Sequence, residues 1–217
     1  MKVLAIDGAL GAFSCAVADG DRIAGARSES GNVALERGLA SVSELMSETG
    51  ATPSTIDRLA VVAGPGGFTG LRIAIAYAKS LALAWNRPLV PISSFDALEY
   101  GRTLDPVLTI VVGRPGVISA RLTGDGSQRR ASGWIADVLH ELFAAGGPSE
   151  LTVVGAPKDV LAALAERARV VTSLDPLVTP AAAAAALAAV TREPAASAHA
   201  VRADYGELPA AKVPKLR

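Results

Sequence analysis

The sequence predicts an α/β protein made of two related lobes, and three features carry that expectation. The first half alternates short apolar runs with helical stripes, opening with an antiparallel meander over residues 3–6, 13–18 and 22–27 that turns at Asp19-Gly20. The second half answers it. Val107-Leu108-Thr109-Ile110 matches Val3-Leu4-Ala5-Ile6, and residues 119–126 match residues 14–21, so one unit of meander, helix, strand and helix recurs. Composition supplies the third feature. Half of the 217 residues are hydrophobic and 19% are charged, enough apolar surface for a sizeable core.

Each element follows from local pattern. Asn32 is placed to cap a helix over residues 32–47, with Leu35, Leu39, Val42 and Met46 on one face and Gly50 ending it. A buried strand is expected at 59–63, a helix at 71–85, a strand at 89–92 and a short helix from Ser93 or Ser94 to Tyr100. Residues 101–106 mark a boundary, which divides the chain into lobes 1–103 and 104–217. The second lobe is expected to hold a strand at 151–154 and helices near 133–145, 157–168 and 180–190, the last opened by a Thr179 cap followed by Pro180. The tail from Glu193 is irregular.

The most specific motif is Gly64-Pro65-Gly66-Gly67-Phe68-Thr69-Gly70-Leu71-Arg72, set between the apolar strand and the apolar helix. A glycine-rich strand-to-helix turn frees backbone N–H groups at a helix start, where anions are favoured. It is not a Walker A loop, because no lysine follows in register. Gly64-x-Gly66-x-x-x-Gly70 is a cousin of the dinucleotide fingerprint, so a stand-alone nucleotide- or dinucleotide-dependent enzyme using this loop is the alternative function. Against it, strand 89–92 ends in Ser93-Ser94, without the carboxylate that would hold a ribose. The helix after the turn has two apolar sides. Leu71, Ala74, Ile75, Ala78, Leu81, Ala82 and Trp85 face a core, while Ile73, Tyr77, Ser80 and Ala84 form a second, weakly polar stripe that calls for another layer or chain.

Duplicated halves of this kind resemble the actin-like ATPase and sugar-kinase superfamily, in which nucleotide lies between halves and each half offers an early acidic residue. Here only Asp7 is present, and its counterpart is Val111 or Val112. A magnesium–phosphate site needs carboxylates beside the phosphates, so Asp7 either keeps a vestigial nucleotide contact or holds the Gly8–Gly11 turn. No catalytic constellation and no metal site is expected. His140 shares a helix face with Asp137 and Glu141, His199 lies in the tail, and the single Cys15 belongs to a core strand. The 21 basic and 21 acidic residues cancel, and aromatics make up 4% of the chain, which argues against an autonomous nucleic-acid binder. No signal-peptide core opens the sequence and no apolar stretch reaches membrane-spanning length, so a cytoplasmic protein with no membrane contact is expected.

The glycine motif, continued to Ile73, resembles the Gly-Pro-Gly-Ser-Phe-Thr-Gly-Leu-Arg-Ile/Val signature of the TsaB (YeaZ) family, accessory proteins of bacterial tRNA threonylcarbamoyladenosine synthesis. Leu4-Ala5-Ile6-Asp7, Ser14-Cys15-Ala16-Val17, Ile92-Ser93-Ser94-Phe95 and the ending with Val201-Arg202 and Lys212-Val213-Pro214-Lys215 agree as well. The resemblance implies a duplicated ribonuclease-H-like fold with a reduced second lobe and no catalysis or cofactor of its own. It also implies a TsaD-type catalytic partner and a TsaE-type ATPase that completes the complex. The complex consumes ATP to modify the adenosine beside the anticodon of tRNAs that read codons starting with A, and this subunit meets tRNA only indirectly. Pairing would run through helices 32–47 and 71–85, and the same surface would form a homodimer when the protein is alone. The chain departs from the pattern at Asp7-Gly8-Ala9, which lacks the usual hydroxyl, at Ala34, where a histidine is frequent, at Gly67, and at Val112–Ser119, where only Arg114 and Gly116 keep the customary residues.

Overall fold

In the computed structural model of the chain, residues 1–30, 34–144, 146–167 and 170–206 are described. Strands β1 (Lys2–Asp7), β2 (Ser14–Asp19), β3 (Arg22–Ser28), β4 (Arg58–Val62) and β5 (Leu89–Ile92) form one sheet in the order β3-β2-β1-β4-β5. Strands β6 (Val107–Arg114), β7 (Val117–Gly124), β8 (Ser127–Trp134), β9 (Glu150–Val154) and β10 (Val170–Leu174) form the other in the order β10-β9-β6-β7-β8. Read from the opposite edge, that is the same order. In both sheets the central strand pairs antiparallel with the next strand and parallel with the fourth. Asp7 stands opposite Ser14 in the first hairpin and Val111 opposite Ser119 in the second, so Val111 is the counterpart of Asp7.

Helices α1 (Gly38–Thr49) and α2 (Phe68–Trp85) cover one face of the first sheet, α1 over β2 and β3, α2 over β4 and β1. In the second half, α4 (Ile135–Phe143) lies on β7 and β8, and α5 (Lys158–Ala165) lies against β10. The helices that close the halves cross over. Helix α3 (Ser94–Glu99), which ends the first half, lies against β6. Helix α6 (Ala181–Ala188), which ends the second, packs on β1, β2, β4 and α3. The 103/104 boundary therefore separates the two sheets but not the two bodies, because alanines Ala182, Ala183, Ala184, Ala185 and Ala186 are buried in the first lobe's core. A helix apolar all round needs cover all round. Alternation along the strands puts Ala5 and Ala16 on the same face as Ser14, whose Oγ receives the Ala182 N–H at 3.4 Å. Small residues on both sides let α6 sit close to its sheet.

Several boundaries differ from expectation. Helix α1 begins at Gly38, and the expected cap Asn32 lies outside the described residues. Gly38 is wedged between two rings, since a β-carbon there would come within 2.8 Å of Phe13 and 2.9 Å of Tyr77. Ser93, not Ser94, caps α3 by accepting the Phe95 N–H. Thr179 does not cap α6; Pro180 holds that position and offers no side-chain bond. Strand β8 runs on through Trp134, so α4 starts at Ile135, and β10 was not anticipated. Cys15 is fully buried, and that burial pushes its thiol up to about 12, so it is a core residue rather than a nucleophile. The described part of the tail, residues 193–206, is irregular apart from one helical turn, and it ties itself down through the Ala195 N–H on the Leu89 carbonyl and the Asp204 N–H on the Ala63 carbonyl.

Candidate functional site

The glycine turn is packed against the chain's own backbone. Gly64 has φ of +105°, and a β-carbon there would overlap the Asp204 carbonyl oxygen. At Gly66 and Gly70 a β-carbon would overlap the carbonyl oxygens of Ala9 and Gly8. The Gly67 N–H is already taken by the Ala9 carbonyl at 2.9 Å, and Ser94 grips the turn through its Oγ on the Pro65 carbonyl at 2.5 Å and its N–H on the Gly64 carbonyl at 2.8 Å. These glycines bring the β1–β2 turn, the start of α2 and the tail together, and the donors a phosphate would need are partly engaged. Three signature residues remain at the surface. Phe68 is 58% exposed and lies 5.1 Å from the Tyr205 ring, Arg72 stacks over Phe68, and Thr69 is exposed.

Asp7 is buried at the bottom of a cavity of about 240 Å³ between the first sheet and the start of α6. Its Oδ1 accepts the N–H groups of Ala9 at 2.8 Å and Leu10 at 3.3 Å, which fastens the turn. Burial outweighs those bonds and raises its pKa from 3.8 to about 6. Among the described residues no arginine or lysine lines the cavity, and Asp7 is the only carboxylate. Those residues do not fit a magnesium-bound nucleotide, which needs cations for phosphate as well as ligands for the metal. Among the described residues, no group of His, Cys, Asp and Glu could hold a metal ion.

The second lobe has a matching place. Ser14 stands opposite Ser28 in the first sheet, and Ser119 stands opposite Ser132 in the second, where the two hydroxyls are 2.8 Å apart. Beside them is a smaller cavity of about 170 Å³ lined by Pro65, Phe95, Arg130 and Asp204. Gly206 packs onto both hydroxyls, and a β-carbon there would overlap Ser119 Oγ. The tail therefore covers the spot that corresponds, in the other lobe, to the Asp7 cavity.

Between the lobes lies an ionic network, centred on a buried arginine, that sequence reasoning missed. Arg121 on β7 is 4% exposed and pairs with Asp96 at 2.5 Å and Glu99 at 2.7 Å, both on α3. Glu99 also receives the Thr109 hydroxyl, Arg192 in the segment after α6 adds a second cation on Asp96, and Arg121 stacks over Phe95. Burial alone would raise the Asp96 pKa; Arg121 and Arg192 outweigh it and hold the carboxyl below its ordinary value. One signal was available: a lone charge, Arg121, inside the mostly apolar run Val117-Ile118-Ser119-Ala120-Arg121-Leu122.

The expected pairing surface is divided by the structure. Val42 and Met46, at 3% and 8% exposed, belong to the first lobe's own core and do not reach the surface. Leu35 is half-buried against that core. Tyr77 is also partly structural, since its hydroxyl donates to the Leu35 carbonyl at 3.1 Å and its ring meets Phe13 edge-on. What remains outward is Leu39, Ala40, Ser43 and Ser47 on α1, with half-buried Ile73 and exposed Ala76, Ser80, Leu83 and Ala84 on α2. Leu39 is 45% exposed and Leu83 54%, and most of the residues between them are small.

A family model described as tRNA N6-adenosine threonylcarbamoyltransferase (TsaD) matches residues 35–152, more than half of the chain. The chain is 32% identical over 101 residues to the tRNA threonylcarbamoyladenosine biosynthesis protein TsaB of Escherichia coli, covering 46% of this chain and 44% of that protein. Matches to the first curated relatives, transferases among them, span only 16% to 44% of those proteins' length. The solved structure of YeaZ from Pseudomonas aeruginosa superposes with a TM-score of 0.70 at 25% identity, over 94% of this chain and 99% of that one. A Bacteroides thetaiotaomicron protein with an actin-like ATPase fold shares the architecture at a TM-score of 0.53 and 11% identity, over 88% of this chain and 96% of that one. The fold is thus the duplicated ribonuclease-H-like fold of the actin-like ATPases. The family match covers the stretch from α1 to β9, so the chain belongs to the threonylcarbamoyltransferase (TsaD) family, and its likeness to YeaZ, nearly end to end, together with the match to TsaB supports the TsaB (YeaZ) resemblance within it.

Proposed function

We propose that this protein is the non-catalytic partner of a TsaD-type subunit in the synthesis of threonylcarbamoyladenosine on tRNA. It acts in the cytoplasm, with a TsaE-type ATPase completing the complex. The modified base is the adenosine beside the anticodon in tRNAs that read codons starting with A. ATP is consumed by the complex, this subunit carries no cofactor of its own, and tRNA is met only indirectly. The observation that carries the proposal is the outer face of α1 and α2, where half-buried Ile73 and exposed Leu39, Ala76, Ser80, Leu83 and Ala84 lie side by side and the other described residues leave the face open. Helices approach closely where contact residues are small, and a second helical layer on this face would bury both stripes. The same face supports a homodimer when no catalytic subunit is present. The alternative of a stand-alone nucleotide enzyme draws little support from a glycine turn so closely packed on Gly8, Ala9 and Asp204.

Reconstitution tests the proposal. Purified protein with tRNA, threonine, bicarbonate and ATP is expected to form no threonylcarbamoyladenosine, and TsaD-type and TsaE-type subunits together are expected to restore synthesis that fails when this chain is left out. Robust product from the isolated chain would refute the accessory role.

A further inference from the structure

On the flank of α2 away from α1 lies an open groove of about 320 Å³, walled on its other side by the tail. Its floor is apolar, from Ile75 and Ala76 of α2 and Val201 of the tail, and Arg72, Lys79 and Arg202 stand around it. None of these three cations has an ion-pair partner among the described residues. Arg72 only stacks over Phe68, and Arg202 donates to the carbonyls of His199 and Val201. No acidic residue lines the groove among the described residues. An apolar floor with three uncompensated cations is complementary to a chain that carries apolar and acidic side chains on one face.

We infer that this groove docks an acidic, amphipathic segment of a partner protein, with its apolar side chains on Ile75, Ala76 and Val201 and its carboxylates on Arg72, Lys79 and Arg202. A nucleic acid fits less well. A phosphate backbone brings nothing for the apolar floor, and the neighbouring rings of Phe68 and Tyr205 lie against each other at 5.1 Å rather than splayed for bases. The chain's own segment 207–217 fits poorly by charge, with Lys212, Lys215 and Arg217 against Glu207. The groove borders the Ile73 face on which the proposed function rests and shares Ala76 with it, but its three cations and its tail wall lie outside that face; the assay below contains no catalytic subunit, so the two claims fail separately.

The test uses the full chain and a fluorescein-labelled amphipathic peptide of leucine and glutamate, followed by fluorescence anisotropy. The expected result is salt-sensitive binding that falls by about tenfold in a Lys79→Glu/Arg202→Glu double variant of unchanged circular dichroism, persists in Lys79→Arg/Arg202→Lys, and is absent for a peptide with lysine in place of glutamate. Equal binding by the charge-reversed variant, or equal binding of the lysine peptide, overturns the inference. Displacement of the probe by tRNA in the parent chain, lost in the charge-reversed variant, would assign the groove to nucleic acid and overturn it too. Displacement by a free peptide of residues 207–217 would assign it to the chain's own end, with the same consequence.

Discussion

The two lobes share a strand order and differ in what their inward faces hold. In the first sheet the facing pair Ala5 and Ala16 receives the alanine helix α6. In the second the corresponding pair is Thr109 and Arg121, which receives α3 with Asp96 and Glu99. One crossing helix is held by close apolar contact and the other by carboxylates paired with a buried arginine. A repeated backbone therefore does not dictate a repeated chemistry. The same contrast holds at the β1–β2 and β6–β7 turns, where buried Asp7 corresponds to buried Val111.

The largest expected effect comes from breaking the second crossing alone. Arg121→Ala leaves half-buried Glu99 with no cation beside buried Thr109 and takes one of two cations from Asp96, and it is expected to lower stability by about 2–4 kcal/mol in urea denaturation. Replacing Arg121, Asp96 and Glu99 together by apolar residues of similar size should recover most of that loss, because no charge is then left buried without a partner. A loss under about 1 kcal/mol for Arg121→Ala would mean that the network does not hold the lobes together.

A second change makes the first lobe resemble the second. The third residue of α2 is Gly70, and the third residue of α5 is Val160, fully buried in its own core. Gly70→Val would drive a side chain into the Gly8 carbonyl. Thermal and chemical melts should show a loss of about 1–3 kcal/mol, or a failure to assemble. If Gly70→Val folded and paired normally yet abolished nucleotide binding by the isolated chain, the glycine turn would be a ligand site after all.

The smallest effect concerns Asp7. Its pKa is raised on folding from 3.8 to about 6, so between those values the folded protein binds more protons than the unfolded one. Stability from this group is therefore greatest below about pH 4, declines as pH rises through 6, and is constant above. Asp7→Asn, which still offers an oxygen to the Ala9 and Leu10 N–H groups, should raise stability by about 1–3 kcal/mol at pH 7 and leave it nearly unchanged at pH 4. Denaturation curves at the two pH values check this, and a loss at pH 7 would show that the ionised carboxylate is needed.

Much of the fold was legible because local pattern and repetition agreed. The apolar runs of β1, β2 and β4, the stripe of α2 and the echo at Val107 all announced themselves. What stayed hidden was non-local. Strand β8, Ser-Gln-Arg-Arg-Ala-Ser-Gly-Trp, has a polar composition and reads as a strand only through the repeat. That α6 returns to the first lobe depends on packing between halves, which an alanine run does not specify. The same holds at the site. Periodicity placed Val42 and Met46 on one face of α1 but could not tell inside from outside, and the partners of Arg121 lie more than twenty residues away in sequence.

If the outer face of α1 and α2 is where the proposed TsaD-type subunit docks, one substitution at its centre separates docking from folding. Ile73→Asp puts a charge at the middle of that face without touching Tyr77, which also holds the start of α1. Binding of the purified variant to the TsaD-type subunit should be measured by calorimetry, with light scattering for the homodimer. The expected result is a folded monomer whose affinity for the catalytic subunit falls by about a hundredfold or more, since a carboxylate would have to be desolvated in an apolar contact. A folded Ile73→Asp protein that still dimerises and binds the subunit as the parent does would contradict the claim and place the interface elsewhere.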